Sequence, residues 1–582
     1  MKEKEKEMKR KIFETGWAVL LAGLMVFSLS VCKRESGSQV SSGVASVKGS
    51  LPLVSQKTTM SVFLGESGGA NIVGSYSYAD NLFTKKVTDE TNIEFTWTIA
   101  SQANKREQLN ILLNAGNYPE IIITDTLGYG EMVYYAAQGI LQPLDEYDPL
   151  SYPRIKAAFD EFPALNQIVR GSDGKMYTLP AVNDCLHCIY ASGRMWLYWP
   201  WAQENNRKFP ETLDEFTEYL RWIKNTDLNK NGRNDEIPLV FEGQRHIENF
   251  ISAFAKPFLP FVLSGGYFGL ALENSKVVEQ YKDPRFREAL KYLAGLYNEG
   301  LLLADSFSMT QDQMRSLVSA DTPVVGVSGS MWMQHHTVLP SRRFYEFFEV
   351  RALQGPGGLR HASNSDPWSI MRGCMYVTDK AKNPELAVAL YDYFIKFDVS
   401  LDSYIGPKGT AWTDVVSPGA LSILNTPATH RMLMTYGSQT FNTTWDQAAP
   451  MIRNMTFRAG EEATDVPLMV DFVRNRNLTN LDSLLNNMSF TNEGAFYLTS
   501  ELNKPYDIPV SMFIPPTAFN DDDNARLADI NAVLVDYKRQ AMVGFIIGRW
   551  DINNDRDWNN YLAELDRNGA AELAGIIQKY IK

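Results

Sequence analysis

From about Lys57 onward, short apolar runs alternate with amphipathic segments, the pattern of an α/β chain. Residues 58–64 (TTMSVFL) predict a first strand, and Gly65, Gly68 and Gly69 a loop behind it. Residues 93–99 (IEFTWTI) alternate with period two, so they predict a strand with one covered face. Residues 104–115 predict a helix, and residues 120–124 (EIIIT) a strand buried on both faces. Thr212 followed by Glu215 is a capping box, behind which Leu213, Phe216, Leu220 and Ile223 recur at helical spacing. Phe286, Leu290, Leu293 and Tyr297 do the same in a helix that stops at Gly300. Residues 371–377 predict another strand, leading into a helix near Asn383-Pro384. No repeat of 20–50 residues interrupts this order.

The first 31 residues follow another pattern. Six Lys/Arg lie within the first 11 residues, and residues 17–31 are uncharged and mostly apolar. Fifteen helical residues rise about 22 Å, short of a hydrocarbon core of about 30 Å, which predicts a secretory signal rather than a stable span. The run ends in Leu29-Ser30-Val31-Cys32 and resembles a bacterial lipobox, with Val31 where a small residue is usual. The resemblance implies that Cys32 is lipid-modified and begins the mature chain; the alternative is an uncleaved N-terminal anchor. Either places the remainder outside the cytoplasmic membrane. Residues 32–56, rich in Ser, Gly and Val, predict a flexible tether.

Composition narrows the function classes. The 582 residues carry a net charge of −12, and the leader's six basic and four acidic groups leave −14 on the rest. An acidic body excludes the basic face that nucleic acid requires. The 45% apolar and 21% charged fractions are those of a globular chain able to bury a large core. Two breaker-rich stretches, residues 174–180 and 355–365, predict crossings between two halves. On that basis residues 57–180 plus 371–425 form one half, and residues 181–370 plus 426–582 the other together with C-terminal helices.

Several ordered motifs then coincide. Tyr118-Pro119-Glu120-Ile121-Ile122, the 174–180 crossover, Arg194-Met195-Trp196-Leu197, the Pro210–Phe216 helix start, Asn383-Pro384-Glu385 and Asp557-Trp558-Asn559-Asn560-Tyr561 resemble extracellular solute-binding lipoproteins of bacterial ABC importers, in their large oligosaccharide-type branch. The resemblance implies a periplasmic-binding-protein-like type II fold: two α/β lobes joined by a hinge, with a C-terminal helical extension. It implies a monomer that captures a carbohydrate and passes it to an ABC permease, held to the membrane by a lipid anchor. A secreted polysaccharide-degrading enzyme and a peptide-binding or chemosensory receptor are the competing readings.

Two sets of residues carry candidate chemistry. In residues 227–236, oxygen side chains at Asp227, Asn229, Asn231 and Asp235 and a glycine at 232 match the start of an EF-hand loop. Arg233 supplies a backbone carbonyl, and Glu236 or a residue elsewhere in the fold has to complete the shell, since Pro238 stands at position 12 in place of the bidentate carboxylate. This predicts a structural Ca2+ at a helix–strand connection, against a plain Asx-rich turn. Sugars require aromatic platforms and planar polar partners. Ligand-binding candidates in loops expected to face a cleft are Asp125, Asn183, Asp184, Trp332, Asp366, Trp368 and Trp412. Trp196, Trp222 and Trp558 lie in helical patterns and predict core positions. Cys185-Leu186-His187-Cys188 lacks the companions of a zinc site and reads as a disulfide or two idle thiols, with Cys374 a single buried thiol. No nucleophile elbow, zincin motif or phosphate loop is present, so no catalytic residue is assigned and the chain reads as a non-enzyme.

Overall fold

The computed structural model describes residues 48–582 apart from 67–76, 187–189, 191–192, 265–266, 331–332, 334–335, 338–340, 363–370, 416, 435–441, 464–465, 483–491, 518 and 582. The signal segment, Cys32, most of the tether, Trp332, Asp366, Trp368 and Cys188 lie outside the described residues.

In chain order, the first elements that position the site are strand β1 (Thr58–Gly65), helix α1 (Leu82–Thr91), β2 (Ile93–Ala100), α2 (Lys105–Asn114), β3 (Ile121–Ile123) and β4 (Leu179–Asn183). The chain continues with β5 (Met195–Tyr198), α3 (Leu213–Lys224), β6 (Ile237–Phe241), α4 (Gly243–Ala255), α5 (Pro284–Asn298), β7 (Val325–Gly329) and β8 (Phe347–Glu349). It then returns through β9 (Met371–Val377), α6 (Pro384–Phe394) and β10 (Ile452–Arg453). It ends in α7 (Val466–Asn475), α8 (Asn492–Asn503), α9 (Asp521–Ile546), α10 (Asp555–Arg567) and α11 (Ala570–Gln578).

Two larger sheets result, beside three two-stranded ones among the described residues. The first has six strands in the order β10-β4-β9-β3-β1-β2, and the second has four in the order β8-β5-β7-β6. In the first, β9 runs antiparallel between β4 and β3, and the remaining neighbours are parallel. The apolar runs of β1 and β3 are explained by burial on both faces. Val62, Leu64, Ile121 and Ile123 join Phe83, Val87, Leu386 and Leu390 in one core. Phe63 and Ile122 turn to the other face, against Leu109 and Leu113 of α2. β2 is an edge strand and keeps a period of two, with Ile93 buried and Glu94 exposed. Only such a one-sided strand needs polar alternation.

The second sheet packs into its own core with α3, α4, α5 and the C-terminal helices. α3 begins at the expected capping box: the Thr212 hydroxyl accepts from Glu215 N at 3.1 Å, and a Glu215 carboxylate oxygen accepts from Thr212 N at 3.2 Å. Its buried face presses so close to β7 that a Cβ on Gly326 would lie 2.4 Å from the Ile223 Cδ1. Trp196 and Trp558 are buried there as expected, Trp196 on strand β5 rather than on a helix, and Trp222 packs against the same core partly exposed.

The division between halves differs from the sequence expectation at two places. β4 lies inside the first sheet, with Leu179 and Val182 buried in its core, so the first crossing follows residue 183 rather than 180. Ile452–Arg453 pairs parallel to β4, which carries the first half past residue 425. A two-residue strand has no periodicity to announce it; it is held by its partner's register. Among the described residues no helix is long and apolar enough to cross a membrane.

Candidate functional site: facing strand ends of two sheets

Strand direction brings the candidate residues together. β3, β4 and β10 run the same way, so Asp125, Asn183, Asp184 and Arg453 end on one edge of the first sheet, where antiparallel β9 begins at Met371 and Arg372. In the second sheet β6, β7 and β8 end on the edge where β5 begins behind Arg194. The chain crosses between the sheets at these ends, and in open α/β sheets the carboxyl ends of strands are where ligands bind.

At the first edge the Asp125 carboxylate pairs with Lys105 Nζ at 2.5 Å, and that buried lysine also donates to the Glu66 carbonyl at 2.7 Å. Asp184 donates its N–H to the Arg453 carbonyl at 2.8 Å. Burial and the Glu161 charge hold the Asp184 carboxyl above its usual range, against the Met455 N–H and Arg458. Two further side chains stand here that no local sequence signal marks. Arg453 is buried, with its guanidinium 5.0 Å from the centre of the Tyr404 ring and one hydrogen bond to Gln447 at 3.4 Å. Burial, Arg458 and Arg372 push its pKa below that of an ordinary arginine. Arg372, opposite Ala181, has a buried Nε with no hydrogen-bond partner among the described residues. Cys185, behind Asp184, is disulfide-bonded, and its sulfur lies 3.0 Å from an Arg458 nitrogen. Cys374 is a free buried thiol, as expected, pushed up to about 11 by burial.

At the second edge Arg194 and Glu349 form a buried ion pair at 3.2 Å. Arg194 donates to the Ser500 hydroxyl at 2.9 Å, and Asn503 donates to Glu349 at 2.9 Å, tying α8 to the strand ends. Burial pushes Arg194 down and Glu349 up, each opposed by the other's charge. Trp196 donates its indole N–H to the Ser330 carbonyl at 2.8 Å. The Arg-x-Trp-Leu element thus organises this edge from beneath.

Trp412 requires a correction. Its ring is 2% exposed within the first core, and its indole N–H donates to Asp402 at 2.8 Å. With both faces packed and its polar tip engaged, it offers no platform for a sugar.

Between the sheets' domains lies a cavity of about 1310 Å3. Tyr129, Asn166, Gln167 and Arg170 line it from the first half, and Leu272, Asn274, Ser275, Arg285 and Tyr580 from the second. The halves touch beside it: a Cβ on Gly130 would lie 2.7 Å from the Asn524 amide.

The 227–236 loop sits apart from these edges, between α3 and β6. The Asp227 carboxylate accepts from Asn231 N at 3.0 Å and Gly232 N at 2.8 Å, and Asn229 Oδ1 accepts from Asn231 N at 3.0 Å. The Asn229 and Asn231 amides donate to Asp235, which lowers its pKa. Glu236 Oε1 accepts from Leu228 N and Asn229 N at 2.6 and 2.9 Å, while its Oε2 is buried with no partner. Among the described residues no three His, Cys, Asp or Glu side chains converge into a metal-holding group. The donor chemistry nevertheless fits a hard cation: oxygen ligands in sequence order, with a buried carboxylate oxygen left over.

Residues 83–402 match the family described as bacterial extracellular solute-binding protein. Over 518 residues the chain is 24% identical to the fructooligosaccharide ABC transporter substrate-binding protein FusA of Streptococcus pneumoniae serotype 4, covering 86% of each. Its fold resembles that of an HMO-binding, ABC-transporter-associated solute-binding protein from Bifidobacterium longum infantis, with a TM-score of 0.70 at 17% identity over 90% of this chain and 98% of that one. It also resembles an EF-hand mutant of FusA from S. pneumoniae in complex with fructo-nystose, with a TM-score of 0.65 at 19% identity over 90% and 98%. These solved structures share its two-lobed α/β architecture, and the matched family spans more than half of the sequence: the chain belongs to the bacterial extracellular solute-binding proteins.

Proposed function

We propose that this protein is the receptor of an ABC importer and captures an oligosaccharide between its two lobes for delivery to the permease. The observation that carries this reading is the 1310 Å3 cavity bounded by both halves. It exceeds the roughly 300–1,000 Å3 that suffices for a drug-sized ligand and so suits an oligomer. FusA, similar over most of both chains, is a fructooligosaccharide receptor, which supports the same ligand class here. Asp125, Asn183 and Asp184, with Arg372 and Arg453, are the ligand candidates at the strand ends of the first sheet and are not part of that cavity's wall. Trp332, Asp366 and Trp368 remain ligand candidates on the sequence pattern. Capture proceeds by hinge closure across the crossing segments. The chain acts as a monomer tethered through lipidated Cys32 after signal cleavage, and performs no turnover. Incubation with an oligosaccharide panel is expected to raise the melting temperature without generating reducing ends. Carboxylate-dependent release of reducing ends refutes the receptor reading in favour of an enzyme; no shift with any saccharide refutes the ligand class.

The 227–236 loop holds a structural Ca2+ in this reading. Asp227, Asn229, Asn231, Asp235 and Glu236 contribute side-chain oxygens and Arg233 its carbonyl. The buried, unpartnered Glu236 oxygen supports this assignment, as does the EF-hand named for FusA. The ion joins the end of α3 to β6 and makes no contact with ligand.

A further inference from the structure

We infer that the strand ends of the first sheet recognise a carboxylate through Arg372 and Arg453, so that the ligand of this receptor is a uronic-acid chain rather than a neutral one. The inference rests on the oligosaccharide reading above and names the chemical class of that ligand.

The register of three strands brings the two arginines together. Arg372 of β9 pairs with Ala181 of β4, and Arg453 of β10 pairs with Asn183 of the same strand. Paired residues share a face of a sheet, and so do positions two apart along one strand. Arg372 and Arg453 therefore flank β4 on one face, at the edge where Asp184 and the crossing to the other half follow. Arg453 is 4% exposed, with the Tyr404 ring 5.0 Å away and a single hydrogen bond, to Gln447 at 3.4 Å. A guanidinium has five N–H donors, so most of its capacity is unused. The buried Arg372 Nε has no partner among the described residues either.

The carboxylates nearby do not supply the missing charge. Asp125 is engaged by Lys105 at 2.5 Å, and burial with the Glu161 charge disfavours the ionised form of Asp184. Burial likewise pushes the Arg453 pKa down; Tyr404 and Asp446 oppose this, while Arg458 and Arg372 add to it. Arg458 is a third guanidinium at the same ring, donating to the Tyr404 hydroxyl at 3.2 Å. Arg194 and Lys538, as deeply buried, each have a glutamate: Glu349 at 3.2 Å and Glu279 at 2.8 Å. Among the described residues Arg453 and Arg372 form no such pair. Burying a cation without its counter-charge costs stability, and such costs persist where binding requires them. A carboxylate brings what this edge lacks, a negative charge on two coplanar oxygens that accept parallel N–H bonds. A sugar hydroxyl would occupy the donors and leave the charges uncompensated.

Isothermal titration tests this with oligogalacturonates, oligomannuronates, the methyl esters of both, and maltooligosaccharides and fructans as neutral chains. At least one acid is expected to bind, and its ester, the same chain without the charge, at least about tenfold more weakly. Raising NaCl from about 0.05 to about 0.5 M should weaken the acid and leave the ester within about twofold. Arg372→Gln and Arg453→Gln should each lose about tenfold for the acid and stay within about twofold of wild type for the ester. Arg453→Met should melt no lower than wild type, an outcome that a purely structural arginine would not give. Esters binding as tightly as acids, or neutral chains binding where both acids fail, overturns the uronate assignment and leaves the receptor reading intact. Variants that bind the acid as wild type does, or lose acid and ester equally, overturn the role of the arginines. Failure of every saccharide to bind overturns both readings.

Discussion

Lys256, at the end of α4, is 1% exposed, and among the described residues its amine makes one hydrogen bond, to the Ser252 hydroxyl at 3.4 Å, with His361 the charged-when-protonated group that feels it. Among the described residues no carboxylate forms an ion pair with it, and burial pushes its pKa down from 10.5 to about 7. A drop of that size corresponds to about 4–5 kcal/mol at 1.36 kcal/mol per pH unit. The unfolded chain keeps the amine protonated up to about 10.5, while the folded chain releases the proton near 7. Between those values the unfolded state binds more protons, so stability rises with pH. Below pH 7 the cost of burying the charge is fully present. Lys256→Met, of similar length and without charge, is therefore expected to be about 3–5 kcal/mol more stable than wild type at pH 6.5. The difference should close steadily toward pH 10.5. Urea denaturation of both proteins at half-unit pH steps, followed by tryptophan fluorescence, measures the difference and cancels titrations common to both. A variant no more stable than wild type at pH 6.5, or a difference that does not change with pH, refutes the reasoning.

Four further outcomes are expected. Glu349→Ala, which leaves the buried Arg194 charge uncompensated, should cost about 3–5 kcal/mol in urea denaturation, and Arg194→Met/Glu349→Leu should recover most of it. His430, 2% exposed, is held neutral by burial with its pKa lowered to about 4, so the unfolded state gains a proton first as pH falls. Stability should drop by about 3 kcal/mol from pH 6.5 to pH 4, and the slope should flatten in His430→Gln. Ca2+ at 100 times its dissociation constant should stabilise the protein by about 2.7 kcal/mol in a chelator-controlled melt, and Asp227→Ala should abolish that response. Trp412→Phe should lower stability through the lost Asp402 hydrogen bond and leave oligosaccharide affinity unchanged.

Local signals in the sequence identify most elements and few of the contacts. The capping box at Thr212 and Glu215, the two-sided run of β3 and the edge alternation of β2 each follow from neighbours within a few residues, and each is where the pattern puts it. The 227–236 loop is legible for the same reason, since its donors are spaced along one turn. Asp125, Asn183 and Asp184 could be placed at strand ends because strand ends are themselves local. Arg372 and Arg453 could not, because their meeting depends on β9 and β10 taking up register against β4. Trp412 shows the converse: a loop position predicts a place facing the cleft, and the tertiary structure packs the ring into the first core with its N–H on Asp402.

The sequence by itself determined the acidic α/β body, the order of strands and helices, and the family. Periodicity, caps and breakers act over one or two turns and survive without a partner. Only the tertiary structure decided which strands share a sheet, where the chain changes lobe, and which polar groups are buried together. Those outcomes depend on segments hundreds of residues apart, such as Arg194 with Ser500 and Asn503 with Glu349, and no short stretch of chain encodes such a distance.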